Sequence, residues 1–230
     1  MDKLLLFDID GTLVITGGAG QRAMNRAFHD VFGIPDAFAG IELAGRTDTS
    51  ILGDAFARHA MPPTPEATAA FRTRYLVCLQ EEVPRPGPNK QVLPGITELL
   101  AELEPRPHNF LALLTGNYGD AAEVKLSHFD LWRYFRCGAF GEDHGDRNAL
   151  VPVALDRARS AGLPPHVDEA RVVVIGDTPR DVRCAQAHGA RCIGVATGEY
   201  SVDALCGAGA DVVFDDLSDT HAVLAALARL

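Results

Sequence analysis

Three short runs in this 230-residue chain gather the residue types that do chemistry: Asp8-Ile9-Asp10-Gly11-Thr12, Thr115-Gly116-Asn117 and Gly176-Asp177-Thr178-Pro179-Arg180-Asp181. Each follows a short apolar stretch, Leu4–Phe7, Phe110–Leu114 and Val172–Ile175 respectively, and such a stretch reads as a buried strand. In open parallel sheets ligands bind beyond the carboxyl ends of the strands, where the strand order reverses. The three loops are therefore expected to converge, although more than a hundred residues separate the first from the second. Four carboxylates gathered there, Asp8, Asp10, Asp177 and Asp181, would repel one another unless a cation joined them. With oxygen donors and no His or Cys cluster, the expected cation is Mg²⁺, which keeps water and substrate phosphate oxygens among its ligands.

Taken singly, each run also has a plain structural explanation. Two acids at a strand end form a solvated turn. Thr115 and Asn117 serve as helix caps. Thr178-Pro179-Arg180-Asp181 is a capping signature with Pro at the first helical position, so Asp181 could act in helix stability alone. The order and combination of the three runs carry the specificity.

The elements that position these loops follow from periodicity. Residues 18–32 place Ala23/Met24, Ala27/Phe28 and Val31/Phe32 at helical spacing, stopped by Gly33 and Pro35. Helical patterning continues over 48–60 and 66–82 with no strand between, and Pro84, Pro86, Pro88 and Pro94 then make a stiff connector. Beyond it, helices at Ile96–Leu103, 119–130 and Val151–Ala161, and one ending at Gly189, alternate with strands near 110–114, 137–140, 172–175, 192–195 and 212–214. That alternation predicts an α/β fold, a Rossmann-like doubly wound parallel sheet with helices on both faces. The expected division is a core of residues 1–14 and 93–230, with an α-helical insert of 15–92 after the first strand.

Composition narrows the function. Lys plus Arg is 21 against 31 Asp plus Glu, a net charge of −10, and no basic run offsets it, which argues against nucleic acid as a partner. The five cysteines are scattered, odd in number and without a Cys-x-x-Cys pair, as expected of free thiols in a reducing compartment. Leu4–Phe7 is too short for a signal-peptide core of ~7–15 residues or a membrane span of ~20. The reading is a soluble, cytoplasmic protein with no membrane partner. Lysine is scarce, with only Lys3, Lys90 and Lys125.

On Phe7–Thr12, Leu113–Asn117 and Val173–Asp181, with Gly194–Gly198 (GVATG) as a further run, the chain resembles the haloacid dehalogenase superfamily of aspartate-nucleophile phosphohydrolases, over nearly its whole length. The resemblance implies that Asp8 takes the phosphoryl group and that Asp10 protonates the leaving oxygen and then activates water. It implies that Asp8, the Asp10 carbonyl and Asp177 hold Mg²⁺, with Asp181 acting directly or through water. Thr115 and neighbouring backbone N–H groups would bind phosphate, with Gly11, Thr12, Gly116 and Asn117 beside it. A carboxylate nucleophile splits phosphoester hydrolysis into two easier displacements. Asp10 argues against a true dehalogenase, since expelling halide from carbon needs no acid there.

The family also uses a basic residue, usually Lys, between the second and third loops. No lysine follows Lys125, so either Arg147, which precedes the helix leading to the third loop, or Lys125 stands in. Arg147 is the favoured reading, because an Arg bridges phosphate and carboxylate bidentately, and Lys125 is then expected on a helix surface. By the same resemblance the insert is a cap, with Gly17, Gly18, Gly20 and the Pro-rich exit as hinges. Arg46, beside Thr47 and Asp48, could meet an anionic group of the substrate. The expected activity is a Mg²⁺-dependent phosphomonoesterase of a small phosphorylated metabolite, nearest in its cap to phosphoglycolate phosphatases. The alternatives are a phosphotransferase such as a hexose-phosphate mutase, or a degenerate phosphate-binding protein. A phosphonate hydrolase with a cap lysine is disfavoured, since Lys90 is the only lysine there.

Overall fold

The computed structural model describes residues 2–230. Its centre is a six-stranded, all-parallel sheet of β1 (Lys3–Phe7), β4 (Asn109–Leu114), β5 (Gly138–Ala139), β6 (Val172–Gly176), β7 (Arg191–Val195) and β8 (Val212–Phe214). The spatial order is β5-β4-β1-β6-β7-β8. The chain builds outward from β1 on one side and then on the other, so the order reverses beside β1 and its neighbours β4 and β6. Registers Phe7↔Leu113 and Phe7↔Ile175 bring the ends of these three strands level.

Alternation along the strands sorts side chains to two faces. Leu5, Phe7, Leu111, Leu113, Val173 and Ile175 pack with α4 (Ile96–Leu103), α5 (Gly119–His128) and α9 (Thr220–Arg229). Leu4, Leu6, Ala112, Leu114, Val172 and Val174 pack with α6 (Leu150–Ser160), α7 (Pro179–Gln186) and α8 (Val202–Ala208). The architecture is the expected Rossmann-like α/β sandwich.

Residues of the insert form a third hydrophobic cluster, built by α1 (Ala19–Phe32), α2 (Asp48–Arg58) and α3 (Pro65–Glu82). Phe28 is its hub, with ring centroids 4.7–6.1 Å from Phe32, Phe38, Phe56 and Phe71. Tyr118 and Ala121 of the α5 region join this cluster, so the insert rests on the helix that follows the second loop.

Two expectations change. The insert is not bounded by helices alone: β2 (Val14–Ile15) pairs antiparallel with β3 (Gln91–Val92), a two-residue ribbon too short to leave a pattern in sequence. Gly20 is not a hinge, because it lies inside α1. Gly17 and Gly18, in contrast, have φ of 63° and 78° and precede the helix; a Cβ on Gly17 would lie 2.7 Å from Gly87 Cα, so the two connections cross glycine against glycine. Cys206 is exposed, whereas Cys78, Cys184 and Cys192 are buried and Cys137 is half-buried; all five are free thiols. Among the described residues no helix is long and apolar enough to cross a membrane.

Candidate active site

β1, β4 and β6 end in the loops that the sequence singles out. Asp8 follows β1 directly and is buried, its N–H donating to Ile175 O of β6 at 3.0 Å. Gly11, at φ 81°, turns the chain back where a Cβ would stand 2.4 Å from Asp177 Oδ2. Only glycine fits there. Gly198 flanks the same carboxylate from the loop after β7, where a Cβ would lie 1.8 Å from it. Thr197 secures that loop by donating to Gly11 O at 2.5 Å. The GVATG run therefore serves to wall in Asp177.

Asp8, Asp177 and Asp181 are buried together, with one oxygen of each inside a 4.8 Å circle. The crowding shows at Asp8 and Asp177. Burial pushes the Asp8 carboxyl up, Arg147 opposes it, and Asp181 and Asp10 add to the rise. Burial, with Asp8 and Asp181, raises Asp177 well above the ordinary range, against the pull of Thr12 and Arg147. Three hard oxygen donors under this mutual repulsion suit a divalent cation such as Mg²⁺. The Asp10 carboxylate stands apart from this triad, bound instead by Lys125.

Both candidate cations reach the site. Arg147, in the short turn Arg147–Ala149, is buried, and its Nη2 lies 3.1 Å from Asp8 Oδ1 and 2.5 Å from Asp181 Oδ1. Burial works against its charge, but Asp181 and Asp8 outweigh that and hold the guanidinium protonated. Lys125 corrects the expectation of a helix-surface residue. It is buried, with Nζ 2.6 Å from Asp10 Oδ2 and 2.6 Å from Asn117 Oδ1. Gly20 explains the burial: α1 passes so close that a Cβ on Gly20 would stand 3.5 Å from that amine. The two basic residues divide the carboxylates between them, Arg147 taking Asp8 and Asp181, Lys125 taking Asp10.

The remaining predicted residues are also placed. Asn117 does not cap α5; its Nδ2 donates to Asp10 Oδ2 and to Thr115 Oγ1, both at 2.8 Å. Thr115 is buried at the cleft floor, its N–H spent on Ala139 O. Thr12 Oγ1 donates to Asp177 Oδ1 at 3.1 Å and so orients a carboxylate. Asp181 has both of its anticipated roles, since it closes a capping box with Thr178 while pairing with Arg147. Gly116 is clamped to the insert: its carbonyl accepts from Asp48 N at 2.7 Å, and a Cβ on it would stand 1.9 Å from Arg46 O. Arg46 borders the cleft, its guanidinium paired with Asp54 Oδ2 at 2.6 Å and reaching the carbonyls of Glu42 and Ser50.

Two residues that sequence reasoning passed over line the same cleft. Asp48, at the start of α2, is buried and accepts from Tyr118 N at 2.9 Å, tying the insert to the start of α5. Burial pushes its carboxyl up to about 7, against Lys125 and the Tyr118 N–H. Thr47, which caps α2, was the available signal for it. Tyr75 of α3 is the other, hidden in sequence within the apolar stripe Phe71, Cys78 and Leu79.

Residues 5–195 match the family described as haloacid dehalogenase-like hydrolase. The chain belongs to that family. Among curated relatives of these haloacid dehalogenase-like hydrolases, it is 29% identical to "Probable phosphatase IndB" of Dickeya dadantii, covering 100% of this chain and 96% of the relative. It is 28% identical to a phosphoglycolate phosphatase of Rhodospirillum rubrum, covering 95% and 89%. In fold it resembles a hydrolase from Pseudomonas syringae, at a TM-score of 0.70 and 22% identity over 98% of this chain and 99% of the other. The family and the phosphatase relatives agree with the enzyme class expected from the sequence, a hydrolase of phosphoric monoesters.

Proposed function

We propose that this hydrolase is a Mg²⁺-dependent phosphomonoesterase working through an aspartyl phosphate on Asp8, with the helical insert 15–92 as a cap over a core of 1–14 and 93–230. The observation that carries the reading is the pairing of two unlike carboxylates two residues apart. Asp8 is buried against Arg147 and the acidic triad, while the Asp10 side chain is 44% exposed to the cleft. A nucleophile has to be held and screened from water; a general acid has to meet the leaving group and then a water molecule.

Asp8, Asp177 and Asp181 would hold the cation, joined by the Asp10 carbonyl. Bound there, Mg²⁺ supplies the countercharge that lets a carboxylate approach a phosphate dianion. The Asp8 carboxylate attacks phosphorus, the P–O bond to the leaving group breaks, and Asp10 gives its proton to the departing oxygen. Lys125 and Asn117 both grip Oδ2 of Asp10, which leaves Oδ1 to carry that proton. The acyl phosphate is then cleaved when Asp10 takes a proton from water attacking phosphorus, which frees inorganic phosphate and restores both aspartates. Arg147 keeps Asp8 aimed and offsets charge on the phosphoryl oxygens. Thr115 and the backbone N–H groups around Gly11 and Gly116 complete the phosphate seat, and the substrate is a small phosphorylated metabolite.

Phosphate release from p-nitrophenyl phosphate and a metabolite panel that includes 2-phosphoglycolate, assayed with Mg²⁺ and with chelator, tests the reading. Turnover that survives chelation, or an Asp8→Asn variant that keeps near wild-type turnover, would sink it.

A further inference from the structure

The cleft between insert and sheet, about 600 Å³, runs well beyond the phosphate seat. Pockets of roughly 300–1,000 Å³ hold whole small-molecule ligands, so space remains for a leaving group larger than two carbons. Its far wall comes from the insert, where Met24, Leu43 and Ile51 give it an apolar face and Gln21 an exposed amide rim. Tyr75 is set into that wall. Its side chain is only 1% exposed, and its hydroxyl has no hydrogen-bond partner. It lies 3.9 Å from where a Cβ on Gly20 would stand, on the same side of α1 as the Lys125 amine. A buried hydroxyl is normally paired, and the residue that carries this one lines the cleft where a ligand would sit.

The charges of the cleft decide what that ligand is. Among the described residues three cations border it, and each is already paired: Arg46 with Asp54, Lys125 with Asp10, Arg147 with Asp8 and Asp181. Glu199 at the rim adds negative charge, and Asp48 in the insert wall supplies no cation. A carboxylate entering here would give up water without gaining a counter-ion, whereas a hydroxyl would meet a waiting donor. We infer that this part of the cleft is a leaving-group subsite for a neutral, hydroxyl-bearing phosphomonoester, with the Tyr75 hydroxyl donating to a substrate oxygen, and that it discriminates against acid phosphates such as 2-phosphoglycolate. The inference rests on the phosphatase reading above and names the substrate class for it.

Steady-state kinetics with Mg²⁺ on matched probes tests it. Glycerol 3-phosphate and 3-phosphoglycerate differ by a CH₂OH in place of a carboxylate, and propyl phosphate lacks both hydroxyls. The wild-type kcat/KM is expected to favour glycerol 3-phosphate over 3-phosphoglycerate by tenfold or more. It should favour glycerol 3-phosphate over propyl phosphate by about tenfold, equivalent to about 1.4 kcal/mol. In Tyr75→Phe the second ratio should fall to near one. In Gln21→Lys, an exposed change that brings a cation to the rim, the first ratio should shrink. A wild-type preference for 3-phosphoglycerate or 2-phosphoglycolate overturns the subsite, as does a Tyr75→Phe variant that slows glycerol 3-phosphate and propyl phosphate equally. Turnover of p-nitrophenyl phosphate separates the two levels. If it persists, such results overturn the subsite alone; if no phosphomonoester is hydrolysed, the phosphatase reading falls and takes the subsite with it.

Discussion

Replacing Arg147 by Met removes a charge but keeps most of the side-chain volume, and the structure allows the consequence to be worked through. At an effective dielectric near 20, the contacts to Asp8 at 3.1 Å and to Asp181 at 2.5 Å are worth about 5 and about 7 kcal/mol of gross attraction. Desolvation of three buried ions consumes most of that, and removing one partner of such a cluster typically costs about 3–5 kcal/mol. The expected result is an apo protein less stable by that amount, a melting temperature lower by roughly 10 °C. Held by the same carboxylates in the folded chain alone, Mg²⁺ would neutralise them and, at about a hundred times its Kd, return about 2.7 kcal/mol. Its stabilisation should therefore be larger in Arg147→Met than in wild type. Turnover should not recover with it, because in the proposed mechanism the guanidinium would also serve the phosphoryl oxygens; a loss of about 10²-fold, roughly 3 kcal/mol, should persist at saturating Mg²⁺. Urea denaturation with and without Mg²⁺, alongside phosphate release, reads both effects. A variant within 0.5 kcal/mol ~of wild type without metal, or Mg²⁺ stabilising both proteins equally, would refute the argument that Arg147 offsets the triad.

Asp8→Asn should retain the fold by circular dichroism and lose several orders of magnitude in turnover, because an amide cannot attack phosphorus. Chelation of Mg²⁺ should abolish wild-type phosphate release and lower its melting temperature, and re-addition should restore both. Lys125→Met should cut turnover by about 10²-fold by freeing Asp10; a rate within twofold ~of wild type would show that Asn117 alone positions it. Asp48→Asn tests linkage. The folded carboxyl titrates at about 7 against 3.8 when exposed, so between those pH values the unfolded chain releases its proton first and stability falls as pH rises. The full effect is at most about 4 kcal/mol. Asn should keep the bond from Tyr118 N, flatten the fall between pH 4 and 7 and leave the variant more stable than wild type at pH 8, as urea midpoints at pH 5 and 8 would report.

The sheet and its three loops were legible because continuous apolar strands ending in polar runs are produced by local residue choice. β1, β4 and β6 bury both faces, so every residue from Leu4 to Phe7 had to be apolar. β2 and β3 were not legible, since two residues carry no period. The final helix α9 was readable but passed over: Asp219 caps it, and Val223, Ala226 and Leu227 make its buried stripe. The roles of Lys125, Asp48 and Tyr75 were hidden for another reason. Each is polar within a helix, where sequence predicts a solvated face or an unremarked core position. Their burial depends on the insert lying against α5, a tertiary contact that no local spacing encodes.

The division of labour between the two cations follows from their chemistry. Arg147 meets two carboxylates and, in the proposed mechanism, would serve the phosphoryl oxygens as well; a planar guanidinium with five donors can do that while staying charged at any working pH. Lys125 has to fix one oxygen of Asp10 while leaving the other open to the cleft. A compact ammonium on a flexible stem reaches Oδ2 and Asn117 Oδ1 together without covering Oδ1. The neighbours agree with these shapes. Gly20 gives room for an ammonium tip under α1, and the turn Arg147–Ala149 delivers Nη2 of the guanidinium between Asp8 and Asp181. In a chain with three lysines in all, one of them lies buried beside Asp10, the carboxylate that the proposed mechanism would have both give and take a proton. In the mechanism proposed above the insert would therefore do more than cover the site: by pressing Gly20 onto Lys125 and Asp48 onto the start of α5, it would help to assemble the acid–base half of the machinery around Asp10, while the strand ends place Asp8.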